Sequence, residues 1–165
     1  MGEQEMADEI TWPLLGNIIR GKKLSNTFGM VRTYANGLPK PHQGWDFAAS
    51  AGTPAYAIAD GSVEFVASGG DYGNRICIRF EHKGKVYYAF YAHMQHVSKQ
   101  KGDAVALNDE IGATGKSGNA SNLPATEDHL HLEIREKPHP GLGLADRVSP
   151  LKIFGKCPLT TAATG

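Results

Sequence analysis

An excess of charge of either sign is the first thing this chain lacks. Lys+Arg and Asp+Glu both total 17 over 165 residues, so the formal net charge is zero. That removes the broad basic footprint of a nucleic-acid binder, and no nucleic-acid partner is expected. Long apolar runs are missing too. Nothing approaches the roughly 20 residues that span a bilayer, so membrane insertion is not expected. Cysteine is scarce, and the two present, Cys77 and Cys157, form no CxxC pair. A cysteine-rich structural zinc site is therefore excluded. Cys77 lies among Ile76, Ile78 and Phe80 and reads as a buried free thiol. A disulfide to Cys157 is the alternative, and it needs an oxidising compartment and close Cβ atoms. Residues 1–9 are acidic and polar, unlike a secretory signal peptide. Work outside the cytoplasm would then require another export route, or a leader already removed.

Helical periodicity is the remaining absence. Twenty glycines and nine prolines cut the sequence into short pieces, and no long stretch repeats every 3.6 residues. What remains is a series of β-branched and aromatic runs between turn signals, at 55–59, 61–67, 75–81, 86–93, 104–107 and 129–135. Turns are expected at Asp60-Gly61, His82-Lys83-Gly84-Lys85 and Lys101-Gly102-Asp103. Residues 14–20 read equally as a short helix or a strand. The stretch 115–128 reads as a loop, and 160–165 as a frayed tail. There are no internal repeats. The expectation is one mainly β, antiparallel domain.

The most informative run is Asp128-His129-Leu130-His131-Leu132-Glu133-Ile134. Alternation marks a strand, in which residues two apart share a face. His129 and His131 therefore point together, away from Leu130 and Leu132. Two such imidazoles can share a metal, or divide into one ligand and one proton carrier. Upstream, His42-Gln43-Gly44-Trp45-Asp46 sets a nitrogen and a carboxylate four residues apart. With one histidine of the later pair, these make three nitrogen and oxygen ligands, the set of a catalytic zinc that keeps a fourth position for water. His93 closes an apolar strand, where a lone histidine reads as a rim residue unless the two clusters meet a metal. Glu133 shares the face of His131 and is a candidate to fix its tautomer. Trp45 reads as core, and Tyr56, Tyr72 and Tyr91 as candidates to line a cleft. His82, His96 and His139 read as surface residues.

Taken in order, these blocks resemble the LytM/lysostaphin-type zinc metallopeptidases. The likeness covers Phe28-Gly29-x-x-Arg32, His42-x-Gly44-x-Asp46, Gly52-Thr53-Pro54, Ala59-Asp60-Gly61-x-Val63 and Tyr72-Gly73-Asn74. It continues through Tyr91-Ala92-His93-Met94, Gly102-Asp103-x-Val105, Ile111-Gly112-x-x-Gly115-x-x-Gly118 and His129-Leu130-His131-Leu132-Glu133. The resemblance implies a β-roll, barrel-like fold and one Zn2+ held by His42, Asp46 and His131, with His93 and His129 as the catalytic pair. It also gives Arg32 a bracing role at the ligand loop. The implied domain covers residues 25–155, between an extension at 1–24 and a tail at 156–165.

The function so implied is a zinc endopeptidase acting on peptide cross-links of bacterial cell-wall peptidoglycan, with stem peptides as substrate. The long stretch 119–128 is expected to shape the groove. No wall-binding module accompanies the domain in this sequence. That directs the expectation to D,D-endopeptidase action, and to an antibacterial effector secreted or delivered to the periplasm or cell wall, with secretion machinery and an immunity protein as partners. The alternative is a non-catalytic LytM-type binding module that regulates a cell-wall amidase.

Overall fold

The computed structural model describes residues 9–164. Its strands are β1 (Gly16–Asn17), β2 (Gly29–Thr33), β3 (Pro39–His42), β4 (Trp45–Ala48), β5 (Pro54–Tyr56), β6 (Gly61–Ala67) and β7 (Asn74–His82). They continue as β8 (Lys85–Val97), β9 (Ala104–Val105), β10 (Glu110–Thr114), β11 (His129–Arg135), β12 (Arg147–Val148) and β13 (Ala163–Thr164). A single turn of α-helix, α1 (Leu151–Phe154), precedes β13. Among the described residues all strand pairings are antiparallel.

The main sheet runs β12-β11-β8-β7-β6-β9, with β4 added to β11, and β10 bridging β8 and β5. β7 and β8 are joined by Lys83-Gly84, both at positive φ (51° and 78°), the geometry a two-residue hairpin requires. Alternation then sorts the faces. Leu130, Leu132 and Ile134 of β11 join Ile76, Ile78, Tyr87, Ala89 and Tyr91 in the core. Their neighbours along β11 form the opposite face, which is buried as well.

Between the pairs Asn74–Met94 and Ile76–Tyr91, β7 advances two residues and β8 three, so β8 carries a bulge. His93 occupies it at φ 59°, a left-handed backbone that non-glycine residues rarely take. The bulge reverses the alternation. Tyr91 and Met94 face the core, while Ala92 and His93 face the other side.

Structure reaches close to both limits of the described residues. Residues 14–20 contain β1, followed by a 3-10 turn at Arg20–Lys22, and Leu14 and Ile19 are 1% exposed within the core. The segment expected to fray instead contributes β13, whose Ala163 carbonyl accepts from the Asn17 side chain at 3.0 Å. Trp45 is buried, as its reading required. Cys77 is buried, Cys157 exposed, and both are free thiols.

Candidate metal centre and cleft

His42 ends β3 and Asp46 lies second in β4, across a tight turn at Gln43-Gly44. Gly44 is required by space: a Cβ there would lie 2.1 Å from the Leu132 carbonyl oxygen. The turn can therefore lie against β11 only without a side chain. That approach sets the register, in which His131 is the cross-strand partner of Asp46 and Ala92 its partner on the other side. His42, Asp46 and His131, all buried, then bring one ligand atom each within 4.8 Å of one another.

The outward atoms decide what this cluster can hold. His42 Nδ1 lies 2.8 Å from the Thr27 carbonyl, which can only accept, so the proton is on Nδ1 and Nε2 faces inward bare. His131 Nε2 donates to Glu133 Oε2 at 2.8 Å, leaving Nδ1 inward. Asp46 Oδ2 accepts from Arg20 at 3.0 Å and Arg32 at 3.2 Å, leaving Oδ1 inward. Oδ1 then stands 3.2 Å from His42 Nε2 and 2.8 Å from His131 Nδ1. His42 Nε2 and Asp46 Oδ1 turn bare lone pairs inward, and His131 Nδ1 completes the set once a cation displaces its proton. Two nitrogens and one carboxylate oxygen suit zinc with an open fourth position. The residues fit the ion.

Electrostatics agrees. Burial would raise the Asp46 carboxyl, but the His131 and His42 imidazoles beside it outweigh burial and hold the group well below the usual range. Glu133 behaves alike: burial is overcome by His131, then by Arg135 and Arg147, and the carboxyl stays ionised. Burial depresses His131, yet the flanking carboxylates of Asp46 and Glu133 lift it to about 9. The proton so held is one that a dication would displace.

Two more imidazoles border this cluster. The His93 ring lies 5.1 Å from that of His129 and 6.0 Å from that of His131. His93 Nδ1 donates to the Ser117 carbonyl at 2.8 Å, and His129 Nδ1 to the Glu127 carbonyl at 3.0 Å. Each Nε2 is thereby left as a proton acceptor. Burial is the main reason both titrate low, His93 at about 4, so both are neutral at pH 7. Both carbonyls belong to the 115–128 loop, which folds into 3-10 turns and sends Asn119 and Leu123 into the cleft wall.

The cleft has a volume of about 390 Å³ and is lined by all five of these residues. Tyr72 is the one expected tyrosine that lines it, its hydroxyl donating to Gln43 at 2.5 Å. Tyr91 instead lies in the core, where its hydroxyl donates to the Tyr56 carbonyl at 2.9 Å and receives the Ile58 amide at 3.1 Å. Glu133, 0% exposed, does hold the tautomer of His131 and is itself held by Arg135 and Arg147, each at 2.8 Å. Arg32 braces the ligand loop through Asp46. Arg20, its partner there, had escaped sequence reading, because its segment carries no motif and reaches the site only through the core packing of Ile19. His96 and His139 are exposed, and His139 stacks on Phe65 at 4.8 Å.

Comparison with known proteins gives a consistent picture. The family model described as Peptidase family M23 matches residues 40–141. The DD-carboxypeptidase/endopeptidase Mpg of Neisseria meningitidis serogroup B is 35% identical over 122 residues, covering 74% of this chain and 25% of that protein. A zinc-containing peptidase from Vibrio cholerae, known by crystal structure, is 27% identical with a TM-score of 0.60, over 85% of this chain and 39% of that one. The catalytic domain of lysostaphin from Staphylococcus simulans shares the fold, with a TM-score of 0.61 at 23% identity, over 79% of this chain and 90% of that domain. The chain spans about a quarter of the length of the curated relatives it matches.

Proposed function

The chain belongs to peptidase family M23, and from that membership we propose a zinc-dependent endopeptidase that hydrolyses peptide cross-links of bacterial cell-wall peptidoglycan. The observation that carries the reading is the convergence of one inward ligand atom each from His42, Asp46 and His131, beside two neutral imidazoles with free Nε2 atoms. In this reading His42, Asp46 and His131 hold one zinc ion, and residues 25–155 form the catalytic unit. The bound ion would acidify a water molecule and polarise the scissile carbonyl.

The chain's own groups do the rest. One of His93 and His129 accepts the water proton on Nε2 as the oxygen adds to the carbonyl carbon. The resulting imidazolium, still held through Nδ1–H, gives that proton to the departing amine as the carbon–nitrogen bond breaks. The other imidazole borders the same space and helps to stabilise the oxyanion. Low imidazole pKa values favour the base form in which this cycle begins.

A D,D-bond as the target is supported by the likeness to a protein named DD-carboxypeptidase/endopeptidase. Since peptidoglycan lies outside the cytoplasm, action there follows from the substrate. A purely amidase-regulating module would need neither the inward lone pairs nor the imidazole pair. The test is digestion of isolated sacculi by the zinc-loaded chain, read by mass spectrometry. Cross-linked dimers should give monomers, with cleavage lost on chelation and restored by zinc. Intact sacculi after treatment with protein carrying one zinc per chain would end the proposal.

A further inference from the structure

The cleft continues past the metal-facing atoms. Towards the β2–β3 hairpin it meets Arg20, Arg32 and Lys40, and the same three cations line an adjoining shallower groove. Asp46 is the one carboxylate among the lining residues of either, and both its oxygens are already engaged. Arg32 uses Nε and Nη2 on Ser25, Asn26 and Asp46, and its Nη1 has no partner among the described residues. Lys40 makes no ion pair among the described residues, its ammonium lying 5.5 Å from the centre of the Tyr34 ring.

Arg32 and Lys40 are moreover direct cross-strand partners, a like-charge pairing that weakens a two-stranded ladder. Arg20 pairs with Glu127 at 3.4 Å as well as with Asp46. The chain as a whole is neutral, so three cations against two engaged carboxylates leave a local excess centred on Arg32 and Lys40. A divalent ion on Asp46 would enlarge it. Such a field draws in anions, and unused guanidinium and ammonium donors bind carboxylates by charge-assisted hydrogen bonds.

We propose that this arm of the cleft is a subsite for a carboxylate of the substrate, seated at Lys40 and Arg32. The inference rests on the peptidase reading and adds that the substrate peptide bears an acidic group on this side of the scissile bond. A carboxamide in its place would lose the charge attraction.

Calorimetric titration of the zinc-loaded chain with stem tetrapeptides tests the proposal, comparing the free acid with peptides in which each carboxylate, side-chain or C-terminal, is amidated singly. One amidation should weaken binding about tenfold, and the difference should shrink as salt is raised. Lys40→Ala should bring the free acid down to the level of that amide, and Lys40→Arg should keep the preference. Equal binding of acid and amides, a preference that survives in Lys40→Ala, or no binding of any peptide would overturn the subsite. Sacculus digestion reports separately: cleavage without carboxylate preference removes the subsite and leaves the peptidase reading standing.

Discussion

Replacing Glu133 by glutamine removes a charge to which a metal-facing imidazole and two buried guanidiniums all donate. Glu133 is 0% exposed, and its carboxylate accepts from His131 Nε2, Arg135 Nε and Arg147 Nε, each at 2.8 Å. A glutamine keeps the shape but offers one oxygen and one NH2 to donors on both sides. If the NH2 meets His131, two donors face each other unless the imidazole moves its proton to Nδ1. That nitrogen is the one that faces Asp46 and would have to bind metal. Zinc affinity should therefore fall about 10–100-fold, which is about 1.4–2.7 kcal/mol. If the NH2 instead meets the arginines, two nearly buried guanidiniums lose their counter-charge. Breaking a buried pair costs about 3–5 kcal/mol, and the retained oxygen points to the lower end of that range. Both losses are measurable in one sample, zinc affinity by competition with a chromophoric chelator and stability by urea unfolding. Nitrogen NMR of the imidazoles reads the His131 tautomer directly. Zinc affinity within twofold of wild type with an unchanged tautomer would refute the positioning role of Glu133.

Other expectations are as specific. His131→Ala should abolish stoichiometric zinc by elemental analysis, whereas His129→Ala should keep the metal and lose about 10²–10⁴-fold in turnover, the usual worth of a positioned proton carrier; equal zinc loss in both would reverse the assignment. Gly44→Ala should destabilise the domain by about 1–3 kcal/mol in urea unfolding, because its methyl meets the Leu132 carbonyl, and an unchanged midpoint would mean the turn can withdraw from β11. Acidification should release zinc, since His42 and His131 bind it only with bare inward nitrogens; dialysis at stepped pH should show retention falling as protons compete. In the native protein a thiol reagent should modify Cys157 alone, because burial lifts Cys77 to about 12, and two rapidly reacting thiols would contradict its burial.

The local pattern of the chain was enough for much of this. Alternation around His129 and His131 placed both on one face, and Glu133 with them, because side-chain direction along a strand is a property of consecutive residues. The spacing of His42 and Asp46 was equally local, as were the hairpin at Lys83-Gly84 and the mainly β character. Alternation carried through Tyr91 would have sent His93 into the core. Only pairing with β7 creates the bulge that turns it to the cleft. The Ser117 and Glu127 carbonyls that hold the two proton-carrying histidines, and the Arg20 contact with Asp46, join segments distant in the chain or lodged in an irregular loop. Residue types and spacing determined which chemistry this protein can host. Tertiary packing decided which nitrogen of each imidazole faces the cleft, because that depends on acceptors brought up from elsewhere.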